Sequence, residues 1–344
     1  MTLIYNRCVK KDFKILAIET SCDETSASIV VNGRTCLSNI VSSQIDIHTR
    51  FGGVVPEVAS RNHITAIDNV VKFALKEANF TFRDIDAIAV TYGAGLVGSL
   101  LVGVSYAKAV SYALNIPLIA VNHIYGHIAG NYLSFPDLVP PFICLVVSGG
   151  HTAIIEVKDF NHHKIIGSTL DDAVGESFDK VARVLGLGYP GGPKVDALAK
   201  KGKNIIQFAK PNDNLGYNFS FSGKKTAVIN YVHKLEQAEK PIPKEDICLS
   251  FERWVVDELC QKSIDACKSL GYDKIVVAGG VSANSALRES LYSECEQNKI
   301  KCFFPDFQFC TDNAAMIGSA AYYAYLDGVG IADMSLSPNP SLSL

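Results

Sequence analysis

The chain has 344 residues, 48% of them hydrophobic and 19% charged, which excludes disorder as its main state. Chains beyond roughly 250–300 residues usually split, so two domains are expected. Its 32 basic and 35 acidic side chains leave a net charge of −3, which excludes a strongly basic nucleic-acid coat but not a local basic patch.

From the N-terminus, Leu3-Ile4-Tyr5 ahead of Lys10-Lys11-Asp12 is too short for a secretory apolar region. Residues 15–18 and 26–31 read as two strands joined by a turn that carries Glu19, Asp23 and Glu24. Ile64, Ile67, Val70, Val71, Ala74, Leu75 and Ala78 recur at helical spacing. A strand over 85–91, a helix over about 97–114 and a strand over 117–121 follow. Between Asp86 and Lys108 run 21 uncharged residues, long enough to cross a bilayer. Gly93, Gly95, Gly98 and Gly103 punctuate them, so a strand, a glycine-rich turn and a buried helix are expected there, and no membrane span. Residues 142–147 form an apolar run leading into Ser148-Gly149-Gly150-His151-Thr152 and a strand over 153–157. This repeats the opening hairpin and suggests an internal duplication. Phe178, Val181, Ala182 and Leu185 mark a helix face. A helix over 245–270, a strand over 274–278 and helices over about 283–297 and 313–326 complete the pattern. Alternating elements after a hairpin in both halves argue an α/β fold.

Four glycine-rich stretches, 92–98, 148–152, 189–193 and 278–284, accompany these strands. Glycine lets backbone N–H groups approach an anion, and a following helix start favours it. Any one stretch is more often an ordinary tight turn; four together, two directly after apolar strands, point to a nucleotide site. None matches the P-loop pattern, and Gly93, Gly95 and Gly98 lack the later acidic residue of a dinucleotide fold. His123 and His127, four apart at a helix start, share one face and suit one metal ion. A lone pair at this spacing is more often two ordinary helix histidines, and a third ligand would have to come from far along the chain. Ile124 stands where the zinc-peptidase motif needs its glutamate, which counts against that class. Asp312 stands where a helix N-cap belongs. Glu19, Asp23 and Glu24 in one turn, and Asp171, Asp172, Glu176 and Asp179 in another, suit cation coordination or acid–base work, or are solvated loop charge. His48, His63, His162, His163 and His233 show no partner spacing. Ten cysteines, at 8, 22, 36, 144, 248, 260, 267, 295, 302 and 310, include no C-x-x-C pair. They read as buried free thiols, with the cytoplasm as the expected compartment.

In order along the chain, Ile18-Glu19-Thr20-Ser21-Cys22-Asp23-Glu24-Thr25, Gly52-Gly53-Val54-Val55-Pro56-Glu57 and His123-x-x-x-His127 resemble the N-terminal half of the tRNA adenosine threonylcarbamoyltransferase family, once labelled O-sialoglycoprotein endopeptidases. Val147-Ser148-Gly149-Gly150-His151-Thr152, Phe178-Asp179-Lys180, Tyr189-Pro190-Gly191-Gly192-Pro193, Phe219-Ser220-Phe221-Ser222-Gly223, Ala278-Gly279-Gly280-Val281-Ser282-Ala283-Asn284 and Thr311-Asp312-Asn313 resemble the rest. The likeness is to bacterial or organellar members and runs from about residue 15 to 333. It implies an α/β fold of two related actin/sugar-kinase-like (RNase H-like) domains around a central nucleotide cleft, here 14–128 with about 312–344, and 129–311. It implies transfer of a threonylcarbamoyl group from threonylcarbamoyl-adenylate to the exocyclic amine of the adenosine 3′ of the anticodon, in tRNAs reading codons that begin with A, with release of AMP.

Carried over by motif, His123, His127 and Asp312 would bind one divalent metal, Fe2+ or else Zn2+. Val146, Val147, Ser148, Gly149, Gly150, Asp179, Gly192, Asp196 and Asn284 would hold the nucleotide part of the substrate, and ATP or ADP could also bind. The attacking amine must lose a proton, and Asp23 or Glu24 at the turn tip is the expected base. The implied partners are tRNA, a paralogue of the same fold, a small P-loop ATPase and the synthase that makes the adenylate. Lys200, Lys201, Lys203, Lys210, Lys224 and Lys225 offer a basic strip for tRNA phosphates, or are solvated surface lysines. Tyr125 stands where bacterial members often carry Glu, and Ala94 where Pro is usual; neither removes a ligand. A small-molecule kinase or ATPase of the same fold would instead turn over ATP without tRNA, and a nucleotide-switched scaffold would form no product.

Overall fold

The computed structural model describes residues 10–208 and 215–342; Cys8 and Lys210 lie outside them. Its chain divides into two compact units. The first comprises Met1–Pro140, Lys158–His163 and Pro305–Leu344, the second Pro141–Val157 and Lys164–Phe304.

The first unit opens with β1 (Lys14–Glu19), β2 (Glu24–Val31) and β3 (Thr35–Ser43), then α1 (Ile45–Thr49), α2 (Pro56–Glu77), β4 (Ala87–Gly93), α3 (Val97–Leu114), β5 (Leu118–Asn122) and α4 (His123–Ser134). Ile15, Leu16, Ala17 and Ile18 are all fully buried, as an apolar run without alternation requires of a central strand covered on both faces. The polar sequence of β3 carries no such signal, and it occupies the sheet edge. On α2, His63 is buried while Ile64 is 65% exposed. The inward face is therefore turned from the one that Ile64 predicts, because His63 bridges to the β1–β2 turn: its Nδ1 lies 2.7 Å from Thr25 Oγ1 and its Nε2 2.9 Å from the Cys22 carbonyl. Of the described helices, α3 alone is long and apolar enough to cross a membrane; Leu100, Val104 and Ala107 on its inner face are buried.

The second unit holds β6 (Phe142–Val147), β7 (Thr152–Val157), most of β8 (His163–Ser168), α5 (Val174–Val184), α6 (Gly191–Ala199), α7 (Ser222–Gln237), α8 (Lys244–Leu270), β9 (Lys274–Ala278), α9 (Ser285–Gln297) and β10 (Lys301–Phe303). Its core includes Phe178 packed edge-on against Phe251, ring centroids 5.1 Å apart. The chain then returns to the first unit through α10 (Ala314–Asp327) and the short β11 (Ile331–Ala332).

Strand order is β11-β5-β4-β1-β2-β3 in one sheet and β10-β9-β6-β7-β8 in the other. In the first, β1 pairs antiparallel with β2 and parallel with β4, which pairs parallel with β5. In the second, β6 pairs antiparallel with β7 and parallel with β9, which pairs parallel with β10. The correspondence of the two hairpins thus extends to the parallel strands beside them, β4 and β5 matching β9 and β10, while β11 has no counterpart. In open α/β sheets, ligands gather at the carboxyl ends of parallel strands. Glu19, His123, Val147 and Gly279 stand at or directly after those ends, while Asp179, Gly192 and Asp196 lie on α5 and α6.

Candidate functional site

Three segments of the first unit meet beyond the carboxyl ends of β1, β4 and β5. Glu19 is the last residue of β1 and opens the turn to β2. Helix α4 follows β5 directly, and Asn122 caps it by accepting a hydrogen bond from the Ile124 N–H at 2.8 Å. This cap fixes His123 in the first turn and His127 one turn later, with ring centroids 4.6 Å apart. Asp312 precedes α10. It does not cap that helix as its position suggests: Asn313 does, its Oδ1 accepting from the Met316 N–H at 3.0 Å. Asp312 Oδ1 is therefore left to face His127 Nε2 at 3.3 Å and His123 Nε2 at 3.5 Å. Asn313→Ala is expected to cost about 1 kcal/mol of stability, the usual worth of such a cap, readable by urea denaturation.

The two histidines are held differently. His123 Nδ1 lies 3.1 Å from Glu19 Oε2 and 3.2 Å from Ser21 Oγ. His127 is buried, and neither of its ring nitrogens makes a hydrogen bond. Burial opposes a charge on His123, but the carboxylates of Asp312 and Glu19 outweigh it and hold its pKa well above the usual 6.5. Burial likewise opposes the Asp312 charge, yet His123 and His127 hold this carboxyl well below its usual range. Glu24 is pushed up to about 9 by burial, then by the charges of Asp312 and Asp23.

One ligand atom from each of His123, His127 and Asp312 can be chosen so that all lie within 4.8 Å of one another. Two imidazole nitrogens and one carboxylate oxygen form a donor set for Fe2+ or Zn2+ with coordination positions left over for substrate. A buried imidazole with no hydrogen bond on either nitrogen is costly in a protein interior, and a cation on its lone pair would remove that cost. The residues therefore fit a metal ion. Tyr125 points elsewhere: with Ile128, Ala129 and Tyr132 it lines a cavity of about 520 Å³ on the other face of α4, where its ring stands 4.2 Å from that of His163.

The predicted nucleotide residues all fall in the second unit. Gly279, at φ +93°, lets the β9 turn pass the Val147 carbonyl, which an added Cβ would meet at 2.5 Å. Gly149, Gly150 and Gly192 differ. None has a positive φ, and an added Cβ at each would meet nothing within 4 Å, so neither backbone nor packing demands glycine there. Asp179 accepts from the Gly191 N–H at the start of α6 at 2.6 Å. Asp196 accepts from Ser285 Oγ at 2.5 Å. Asn284 caps α9 through its Oδ1 and donates from Nδ2 to Glu252 Oε1 at 2.6 Å. These polar groups are thus brought together and already partnered within the protein. Of the candidate lysine strip, Lys224 is buried against Glu258, and Lys225 pairs with Asp172 at 2.6 Å, so their charges are compensated within the second unit.

Sequence reasoning passed over Glu19 as a partner of His123, passed over Thr91 altogether, and left His63 unassigned. A carboxylate ending an apolar strand was a usable signal for Glu19. Thr91 and His63 carried none, because their roles come from residues tens of positions away.

A model of the tRNA N6-adenosine threonylcarbamoyltransferase (TsaD) family matches residues 35–319. The tRNA N6-adenosine threonylcarbamoyltransferase of Clostridium novyi (strain NT) is 58% identical over 339 residues, 98% of this chain and 99% of that protein. That of Clostridium perfringens (strain SM101 / Type A) is 60% identical over 334 residues, 96% of this chain and 98% of that protein. Among solved structures, full-length HypF aligns with a TM-score of 0.61 at 15% identity, covering 94% of this chain and 48% of that one. Component A of the Acidaminococcus fermentans (R)-2-hydroxyglutaryl-CoA dehydratase aligns with a TM-score of 0.54 at 15% identity, covering 92% and 98%. At these identities the two structures share the actin/sugar-kinase-like fold alone.

Proposed function

Because the chain belongs to the tRNA N6-adenosine threonylcarbamoyltransferase family, and so is a transferase that modifies adenosine in tRNA, we propose that it draws the threonylcarbamoyl group from threonylcarbamoyl-adenylate and works with a metal held by His123, His127 and Asp312. The acceptor is the exocyclic amine of the adenosine 3′ of the anticodon in tRNAs reading codons that begin with A. A bond forms from that nitrogen to the carbamoyl carbon. The bond from the same carbon to the phosphate oxygen breaks, and AMP leaves with the electron pair. The donor is already activated, so no nucleophilic side chain is needed.

The amine proton passes to a carboxylate in the β1–β2 turn. That base is assigned to Asp23 or Glu24. Bound by the trio, Fe2+ or Zn2+ supplies Lewis acidity to the carbamoyl or phosphate oxygens. Val146 to Gly150, Asp179, Gly192, Asp196 and Asn284 are assigned to the nucleotide part of the donor. Support comes from Gly149, Gly150 and Gly192, where the missing side chains leave open space and the backbone N–H groups can approach phosphate closely. A paralogue of the same fold, a small P-loop ATPase, the adenylate synthase and a cytoplasmic setting belong to the same proposal.

The observation that carries this reading is the trio itself, three ligand atoms gathered from α4 and the start of α10 in a chain otherwise built for burial. Its test is to incubate the protein and partners with unmodified tRNA, threonine, bicarbonate, ATP and the synthase, then analyse nucleosides by mass spectrometry. Threonylcarbamoyladenosine is expected. Its absence, beside a working control enzyme, rejects the donor and acceptor named here.

A further inference from the structure

We propose that Glu19 is a positioning residue: it keeps the proton of His123 on Nδ1 and thereby leaves the Nε2 lone pair for the metal, so the proposal rests on the metal reading above. Glu19 is fully buried at the end of β1, and both its oxygens are engaged. Oε1 accepts from the Ser21 N–H at 2.5 Å, while Oε2 accepts from Thr91 Oγ1 at 2.5 Å and faces His123 Nδ1 at 3.1 Å. An ionised carboxylate only accepts hydrogen bonds. The nitrogen opposite it must therefore carry the hydrogen. His123 Nε2 faces Asp312 Oδ1 at 3.5 Å, and with Nδ1 engaged by Glu19 it is the nitrogen whose hydrogen a metal ion would displace. A metal-ligating histidine whose other nitrogen is held by a carboxylate is fixed in both tautomer and ring orientation.

The arrangement is one-sided. His127 Nδ1 makes no hydrogen bond, so one imidazole is preset by the fold and the other is left to be oriented by the ion it binds.

Glutamine at position 19 tests this through a conflict it cannot avoid. The Ser21 backbone N–H can only donate, so the glutamine oxygen must stay at the Oε1 position. Its NH2 group then occupies the Oε2 position and donates to His123 Nδ1, which forces the hydrogen onto Nε2 and blocks that ligand. The experiment loads full-length protein, labelled with 15N-histidine, with Zn2+ alone. It reads the His123 ring nitrogens by NMR and Zn2+ affinity by chelator competition. In the unsubstituted protein, His123 is expected to show hydrogen on Nδ1 and metal on Nε2. In Glu19→Gln, hydrogen is expected on Nε2, with Zn2+ affinity lower by about 10–100-fold. Unchanged affinity and an unchanged His123 pattern in the variant overturn the role of Glu19 and leave the metal reading standing. Failure of the unsubstituted protein to take up Zn2+ overturns both. Should the variant not fold, the unsubstituted spectrum decides alone: hydrogen on Nε2 there overturns the proposal.

Discussion

Replacing His127 with leucine is expected to end threonylcarbamoyl transfer while changing the stability of the metal-free protein little. The imidazole is buried in α4 with both nitrogens lacking hydrogen bonds. A buried polar group left unsatisfied costs about 1–3 kcal/mol, whereas leucine is a good helix former that brings no polar atom. Leucine also removes the 3.3 Å contact of His127 Nε2 with Asp312 Oδ1, leaving that carboxylate with His123 at 3.5 Å. The two effects oppose each other, so the change in stability is expected to stay within about 1 kcal/mol, measured by urea denaturation of chelator-treated protein. Metal retention should fall by more than about 100-fold, beyond what losing an outer hydrogen-bond partner costs, and transfer should fall with it. A variant that keeps its metal and loses stability would make His127 an ordinary core histidine. A loss of function at little change in stability is the signature of a residue kept for chemistry.

The second large effect concerns Glu252 on α8, whose side chain supports Asn284. Burial raises its pKa from the ordinary 4.5 up to about 7, partly offset by the hydrogen bond from Asn284 and reinforced by Asp196. The folded protein thus holds this proton more tightly than the unfolded chain. Between about pH 4.5 and 7 the unfolded state has released it and the folded state has not, so stability falls as pH rises through that window. At about 1.4 kcal/mol per tenfold change in proton affinity, the loss is complete above pH 7 and amounts to about 3 kcal/mol. Glu252→Gln keeps a carbonyl oxygen to accept from Asn284 Nδ2 and removes the ionisation. The variant is expected to match the native protein in urea denaturation near pH 4 and to exceed it by up to about 3 kcal/mol at pH 8. Parallel pH profiles for the two would refute the assignment.

Much of the fold was legible along the chain. Strands β6 and β9 fall where apolar runs put them, because strands covered on both faces must be apolar throughout. Helix α3 also falls where expected but is not a buried helix, since Val97, Leu101 and Tyr112 are exposed. Strand β3 and helices α6 and α7 were missed. The strand is an edge with polar side chains, α6 opens on Gly-Gly-Pro, and α7 has a largely polar sequence. On α2, Ile64 satisfied the helical repeat and yet points to solvent, because the hydrogen bonds of His63 to the β1–β2 turn set the rotation.

Length by itself pointed to two domains, the alternation of elements to an α/β fold, and the repeated hairpin to a duplication. The order of motifs determined the family. Local spacing could pair His123 with His127, since a helix brings residues four apart onto one face. It could not supply Asp312, 185 positions beyond His127, nor show that Asn313 takes the cap and leaves that carboxylate free. The family motifs named Asp312, but only the tertiary structure brings its carboxylate to both imidazoles, because a parallel sheet gathers the ends of β1, β4 and β5 from distant stretches of chain. It also changed what the near-neutral charge means. Lys224 and Lys225 are paired within their own unit, so the net charge of −3 includes positive groups that burial and ion pairing, not composition, have removed from the surface.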